Sequence, residues 1–215
     1  MKYDDFLELV KSRRTIRKFK SDAIPPEDLD KIMETVRWAP SGFNSQPWEI
    51  LVVQAPETKD VITQHLQGKD DVDSISRVGF AKAPVYLFLL GDNRVRPWAP
   101  SVVRDDEELW RYIMEATLAP AYQHMHLAAT SLGIGTMWIT ASRMPDIERK
   151  IRKTLNIPDH LVLFEMMAIG YPDHTPPTKK VRPLDEFVHY DTCSENKLRS
   201  EKDIKTFFGK PNPSK

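Results

Sequence analysis

An α+β fold in a single domain is what this sequence predicts, and three observations carry that reading. Two runs, PVYLFLL over 84–90 and LVLFEMMAIG over 161–170, are short and almost wholly apolar, as strands covered on both faces are. Around them stand segments whose apolar residues recur at i, i+3, i+4 and i+7, the period of a helix packed on one side. No linker, internal repeat or low-complexity tract divides residues 1–190, so one core serves them all, and 191–215 form a polar tail.

In chain order, Phe6, Leu7 and Val10 fall at helical spacing within 4–12, and the polar run 11–22 follows with Arg13, Arg14, Arg17, Lys18 and Lys20. Pro25-Pro26 opens the clearest helix. Glu27 and Asp28 suit its positive end, Leu29, Ile32, Met33 and Val36 make its stripe, and Pro40 stops it. Residues 48–53 (WEILVV) read as a strand, 58–66 as a short helix with Val61, Ile62 and Leu66 inward, and 67–79 as a mobile polar loop. Strand 84–90 is followed by a long excursion, 91–108, with Pro97, Trp98, Pro100 and acids at 105–108. Loops of that length are often functional.

Residues 109–131 form a helix that is apolar around most of its circumference, which implies burial against several elements or a partner. Pro120 is expected to bend or split it. Gly133-Ile134-Gly135 ends it, and 136–139 make a short strand. Pro145 starts a helix that aligns Ile147, Ile151 and Leu155, and strand 161–170 completes the core. From residue 186 the chain is too polar to fold alone, although Phe207 and Phe208 could dock on a surface.

Charge and cysteine usage narrow the function. Lys plus Arg and Asp plus Glu number 31 each, so there is no basic field broad enough for a dedicated nucleic-acid or anionic-membrane binder. A single cysteine, Cys193, rules out an intrachain disulfide and any Cys-rich metal site, and a free thiol is its plain reading. The opening MKYDDFLELVKSRR has no apolar signal core, and no stretch approaches the ~20 apolar residues that span a bilayer, so a cytoplasmic location is expected. His124 and His126 are two apart, on different sides of a helix, so no metal site is expected from them. Trp138 stands where a dinucleotide fingerprint beginning at Gly133 needs its third glycine, and phosphate-loop and nucleophile-elbow motifs are absent.

Three segments remain. Arg13-Arg14-Thr15-Ile16-Arg17 packs three guanidiniums and a hydroxyl into five residues, an oxyanion cradle or else a solvated basic turn. The run 39–48, APSGFNSQPW, is fixed by two prolines, while Ser41, Gly42 and Asn44 offer donors, acceptors and close backbone approach. Lys180 and Arg182 stand two apart in the extended KKVRP, which points both to one side.

Taken in order, an RRxxR-like opening, APSxxNxQPW before the first long strand, GIGTMWI, and GYP followed by KxR closely resemble the FMN-dependent nitroreductase superfamily over about residues 8–190. The resemblance implies a nitroreductase-like fold: a central mixed β-sheet flanked by helices, in an intertwined homodimer with FMN at the interface. It implies flavin contacts at Arg13 (near the phosphate), Arg14, Thr15 and Arg17 (near the pyrimidine edge). It also implies contacts at Pro40, Ser41, Gly42 and Asn44 from the partner subunit, at Ile139, Thr140 and Ala141 beside the reactive N5, and at the late phosphate pair Lys180 and Arg182.

Cations at both ends of FMN favour binding and the reduced state. The apolar helix 109–131 would then supply dimer core, and the tail would wrap the partner. Thr140 departs from the pattern, since some relatives carry an acid there and nothing in the sequence replaces it; position 124 is His where relatives often have Asn. The activity implied is ping-pong transfer of reducing equivalents from NADH or NADPH to a small electron-poor acceptor (a nitroaromatic, quinone or enone). No catalytic acid or base is named, because the cofactor carries the chemistry. Reductive dehalogenation, flavin breakdown and flavin binding without turnover are the other readings that the same fold allows. Phe43, Trp98 and Trp110 are read either as stacking on substrate or as plain packing.

Overall fold

A computed structural model describes residues 2–67 and 79–209 of the 215. Except for its two end residues, the polar segment 67–79 lies outside the described residues, as do 210–215 of the tail. The chain divides into two units, residues 1–174 and 175–215.

In the first unit, α1 (Tyr3–Ser12) is followed by α2 (Pro26–Glu34) and a tight turn through Trp38. Next come β1 (Trp48–Val53), α3 (Pro56–Leu66) and β2 (Val85–Asp92). The excursion 91–108 is not irregular. It holds a tight helical turn over Asn93–Trp98 and the single turn α4 (Ser101–Arg104), fastened by Arg96 on Glu107. Then come α5 (Glu107–Ser131), β3 (Gly135–Ile139), α6 (Pro145–Thr154) and β4 (Leu161–Gly170). Proline opens α2, α3 and α6, where its fixed φ suits a first turn and its missing N–H is no loss. Asp106 caps α5 by accepting from the Leu109 N–H at 2.9 Å.

Pro120 does not split α5, which runs unbroken over 25 residues because its flanking turns are held from outside by buried neighbours. Gly133, at φ 72°, ends it in a Schellman closure, with the Ile134 N–H on the Ala129 carbonyl and the Gly133 N–H on that of Thr130.

The sheet order is β1-β2-β4-β3, and all three pairings are antiparallel. Parallel pairing enters at one bridge, Thr15 to Thr136, where the chain after α1 lies along the free edge of β3. Side chains alternate between two layers. Leu87, Leu89, Met167 and Ile169 meet α2 and α5, whereas Tyr86, Phe88, Met166 and Ala168 meet α3 and α6. Each fully buried Leu, Ile, Met or Phe here contributes roughly 1.5–3 kcal/mol. Among the described residues no helix is long and apolar enough to cross a membrane.

The alternation breaks once. Leu89 stands opposite Glu165 but Leu90 opposite Leu163, so Phe164 is an extra residue and β4 bulges. Opposed residues share a face, and Leu89 lies on the α5 side. The bulge therefore turns Phe164 and Glu165 both toward α5.

The second unit, from Thr175, carries two short helical turns, Leu184–Glu186 and Glu195–Lys197, and the helix α7 (Glu201–Gly209). The sequence predicts that from residue 186 the chain is too polar to fold alone, yet helical turns form there. Its helical turns close on short-range contacts, such as Ser200 with Asp203, rather than on an apolar core.

Candidate functional site

Of the three segments singled out by sequence, the basic run 13–17 meets β3 and the turn 139–141 that follows it. Arg13 caps α1, and Thr15 bridges to Thr136, with the Ile16 N–H on the Thr136 carbonyl at 2.9 Å. The basic run is thereby laid parallel to β3, whose end leads into Ile139, Thr140 and Ala141. Gly135 makes this possible, since a Cβ there would lie 2.6 Å from Ile16 Cγ1. Arg17 is exposed, while Arg13 is half-buried, and burial first, then the neighbouring Arg14, lowers its pKa. Arg14 is turned back onto the Lys11 and Arg13 carbonyls. Ile139 is buried and Thr140 exposed, and the turn they enter is tied by Ser142 Oγ donating to the Ile139 carbonyl at 2.8 Å.

The loop of Pro40, Ser41, Gly42 and Asn44 goes elsewhere. The Gly42 N–H bonds Thr117 Oγ1 of α5 at 3.1 Å. Thr117 and His126, the helix residue whose pKa Arg13 helps to lower, stand nine residues apart, roughly 13 Å of helix. Phe43, Asn44 and Gln46 all have positive φ, at 59°, 53° and 44°, an unusual density of left-handed non-glycine residues. Such backbone persists where function or surroundings demand it. Gln46 Nε2 on Asn44 Oδ1 and the Gln46 N–H on Ser41 Oγ hold the form. Phe43 and Trp98 are exposed, whereas Trp110 is buried with its indole N–H on Asn93 Oδ1, so Trp110 packs.

In the second unit Lys180 and Arg182 line one cavity with Lys197, Arg199 and Phe207. Lys180 lies 4.1 Å over the Phe207 ring, and Arg182 is engaged by Glu186.

Beneath β3 lies a cluster that sequence reasoning missed. Trp138 packs edge-on to Tyr122 (4.5 Å) and stacks with His126 (5.6 Å), and Phe164 joins Tyr122 at 5.8 Å. His126 Nδ1 meets Thr136 Oγ1 at 2.7 Å. Tyr122 Oη, His126 Nε2 and Glu165 Oε2 are buried without a hydrogen-bond partner. Burial, and then Arg13, lowers the His126 pKa to about 3, so the ring is neutral. Burial raises the Glu165 pKa to about 7, with Trp138, Arg143 and Ser142 acting against the rise. The signal for Glu165 was present as the one charge inside LVLFEMMAIG.

The Nitroreductase family profile matches residues 10–171. The chain belongs to the nitroreductase family. A protein of Methanothermobacter thermautotrophicus, provisionally named an NADH dehydrogenase/NAD(P)H nitroreductase, is 30% identical over 188 residues, 87% of each chain. The iodotyrosine deiodinase of Thermotoga neapolitana is 29% identical over 86% of this chain and 97% of its own. Among solved structures, an FMN-dependent nitroreductase of Clostridium difficile matches at a TM-score of 0.67 and 24% identity, covering 87% of this chain and 99% of its own, which establishes the nitroreductase fold. The α+β expectation and the family resemblance both hold.

Proposed function

We propose that this chain is an FMN-dependent oxidoreductase, acting as a homodimer, that passes reducing equivalents from NADH or NADPH to a small electron-poor acceptor such as a nitroaromatic, quinone or enone. The observation that carries the reading is the alignment of Arg13–Arg17 with β3, which sets guanidiniums and the 139–141 turn on one edge. The residues present suit FMN. Three arginines answer a doubly negative phosphate and the charge of a reduced ring. Buried unpaired polar atoms beside Trp138 are in keeping with an environment built around a polar group.

In this reading Arg13, Arg14 and Arg17 bind and orient the anionic parts, and Thr15 supplies a hydroxyl. Residues Ile139, Thr140 and Ala141 present backbone to the reacting ring, and Ser142 keeps their turn closed. FMN, when bound, supplies the two-electron chemistry. Pro40, Ser41, Gly42 and Asn44 lie on a loop held against Thr117 of α5, away from this edge, and in this reading a second copy supplies them. In keeping with this, α1 buries none of its residues although Phe6 and Val10 share a face. The roles of Lys180 and Arg182 rest on the resemblance together with their shared cavity, whose cations suit a phosphate.

The deiodinase relatives favour reductive dehalogenation as the second reading. Anaerobic titration separates these. A purified protein with flavin absorption that NADH or NADPH bleaches, and that a quinone or nitroaromatic restores, supports the first. Bound flavin that only a stronger reductant bleaches, with halide released from a halotyrosine, supports the second. Failure to take up FMN overturns both.

A further inference from the structure

Some proton must accompany the electrons that such a site handles, and the chain offers a carboxyl in an unexpected place. The last paired residues of β3 and β4 are Ile139 and Met166, so Thr140 and Glu165 are the next across the same ladder. Thr140 is a side chain that cannot ionise at neutral pH, and Glu165 comes from the neighbouring strand. The bulge at Phe164 decides its direction. Continued from Leu163 without the extra residue, strict alternation would set position 165 opposite Phe88, in the other layer. A charged residue in that layer would be strongly destabilising, and the bulge instead brings it to the Trp138 cluster.

We propose that Glu165 is a redox-linked proton acceptor, taking up a proton when the group held beside residues 139–141 gains electrons and giving it up when that group is reoxidised. This rests on the reading of 139–141 as lining FMN. The balance is simple. NAD(P)H delivers two electrons and one proton together as a hydride. The negative charge left by reduction disfavours a second negative charge nearby, so the Glu165 carboxylate draws a further proton from water. Reoxidation returns that proton to water or to the reduced acceptor.

The groups facing Glu165 leave this role open. Tyr122 comes from α5, is fully buried and has its pKa raised well above the usual value by burial and by Glu165 itself. Arg143 comes from the turn after β3, but its guanidinium is shared between the Leu163 carbonyl and Glu148. Trp138 and Ser142 do not titrate, and Ser142 gives its proton to the Ile139 carbonyl. Beyond Trp138 stands neutral His126, and next to it Arg13. Glu165 Oε2 therefore keeps no fixed partner, and its occupancy by a proton is free to follow the charge of the site. A carboxyl already near half-protonated at neutral pH responds most.

The test is the midpoint potential of the FMN-loaded protein as a function of pH, compared between wild type, Glu165→Gln and Glu165→Asp. Above pH ~7 the wild type should bind one more proton on reduction than the Gln variant. That is a tenfold further change in the equilibrium per pH unit, about 30 mV for a two-electron couple. Glu165→Asp should keep the extra slope with its onset displaced. Equal slopes in wild type and Glu165→Gln overturn the proposal. In a parallel experiment, amide NMR signals of 139–141 are followed as FMN is added. Shifts there with equal slopes sink only the role of Glu165, whereas no shifts there sink the placement of FMN on which it rests.

Discussion

Gly135 and Ile16 meet where the basic run joins β3, and a methyl group at 135 has no room. Gly135→Ala should cost about 1–3 kcal/mol in urea unfolding, typical of forced overpacking. It should also weaken FMN uptake, because the edge it pries apart carries Arg13 to Arg17. His126 and Glu165 give opposite signatures with pH. The folded His126 pKa is depressed to about 3, so its contribution is complete above the unfolded value of ~6.5 and is lost as pH falls below it. The folded Glu165 pKa is raised to about 7, so its contribution is present below the unfolded value of ~4.3 and is lost as pH rises toward 7. Between pH ~4.5 and ~6.5 the two slopes oppose. Denaturation curves across that window should be nearly flat for the wild type with respect to this pair. For Glu165→Gln stability should climb with pH, by at most about 1.4 kcal/mol per unit. A flat profile in that variant would mean that His126 is not held neutral.

At the scale of elements, the strands were the most legible part. Residues 48–53 and 161–170 lie where the run lengths placed them, because an apolar run of six to ten residues between turn signals has few other homes. Pro120 misled, since a proline removes one helix bond but cannot outweigh a helix wedged into the core along much of its length. The excursion 91–108 misled too. Its turns are stabilised by charge pairs such as Arg94 with Asp92, which no periodicity reveals. Of the site, the basic run and the 139–141 turn were readable as types, but their adjacency depends on a bridge 121 residues apart in sequence. Glu165 was hidden because a bulge changes which face a strand residue takes. In the loop, Phe43 at φ 59° carries a steric cost of roughly 1–2 kcal/mol. Phe43→Gly should therefore leave the thermal midpoint level or raised while FMN affinity falls severalfold, as a preformed contact is loosened. A drop in both would show that the loop serves stability instead.

For the whole molecule, the proposed dimer is tested at the exposed α1 surface. Because α1 has no buried residues, Phe6→Glu with Val10→Glu should not unfold the chain, yet it should shift a dimer toward monomer in sedimentation equilibrium. FMN affinity should fall with it. An unchanged mass and unchanged affinity would place the subunit contact elsewhere. The separation along α5 between Thr117 and the Arg13–His126 neighbourhood also sets rules of inheritance. Two inactive alleles, one lacking Arg13 and one lacking the Ser41–Asn44 loop, should complement each other when expressed together. In the proposed dimer each mixed pair would rebuild one intact site by concentrating both lesions in the other. Two alleles that damage the same segment should never do so.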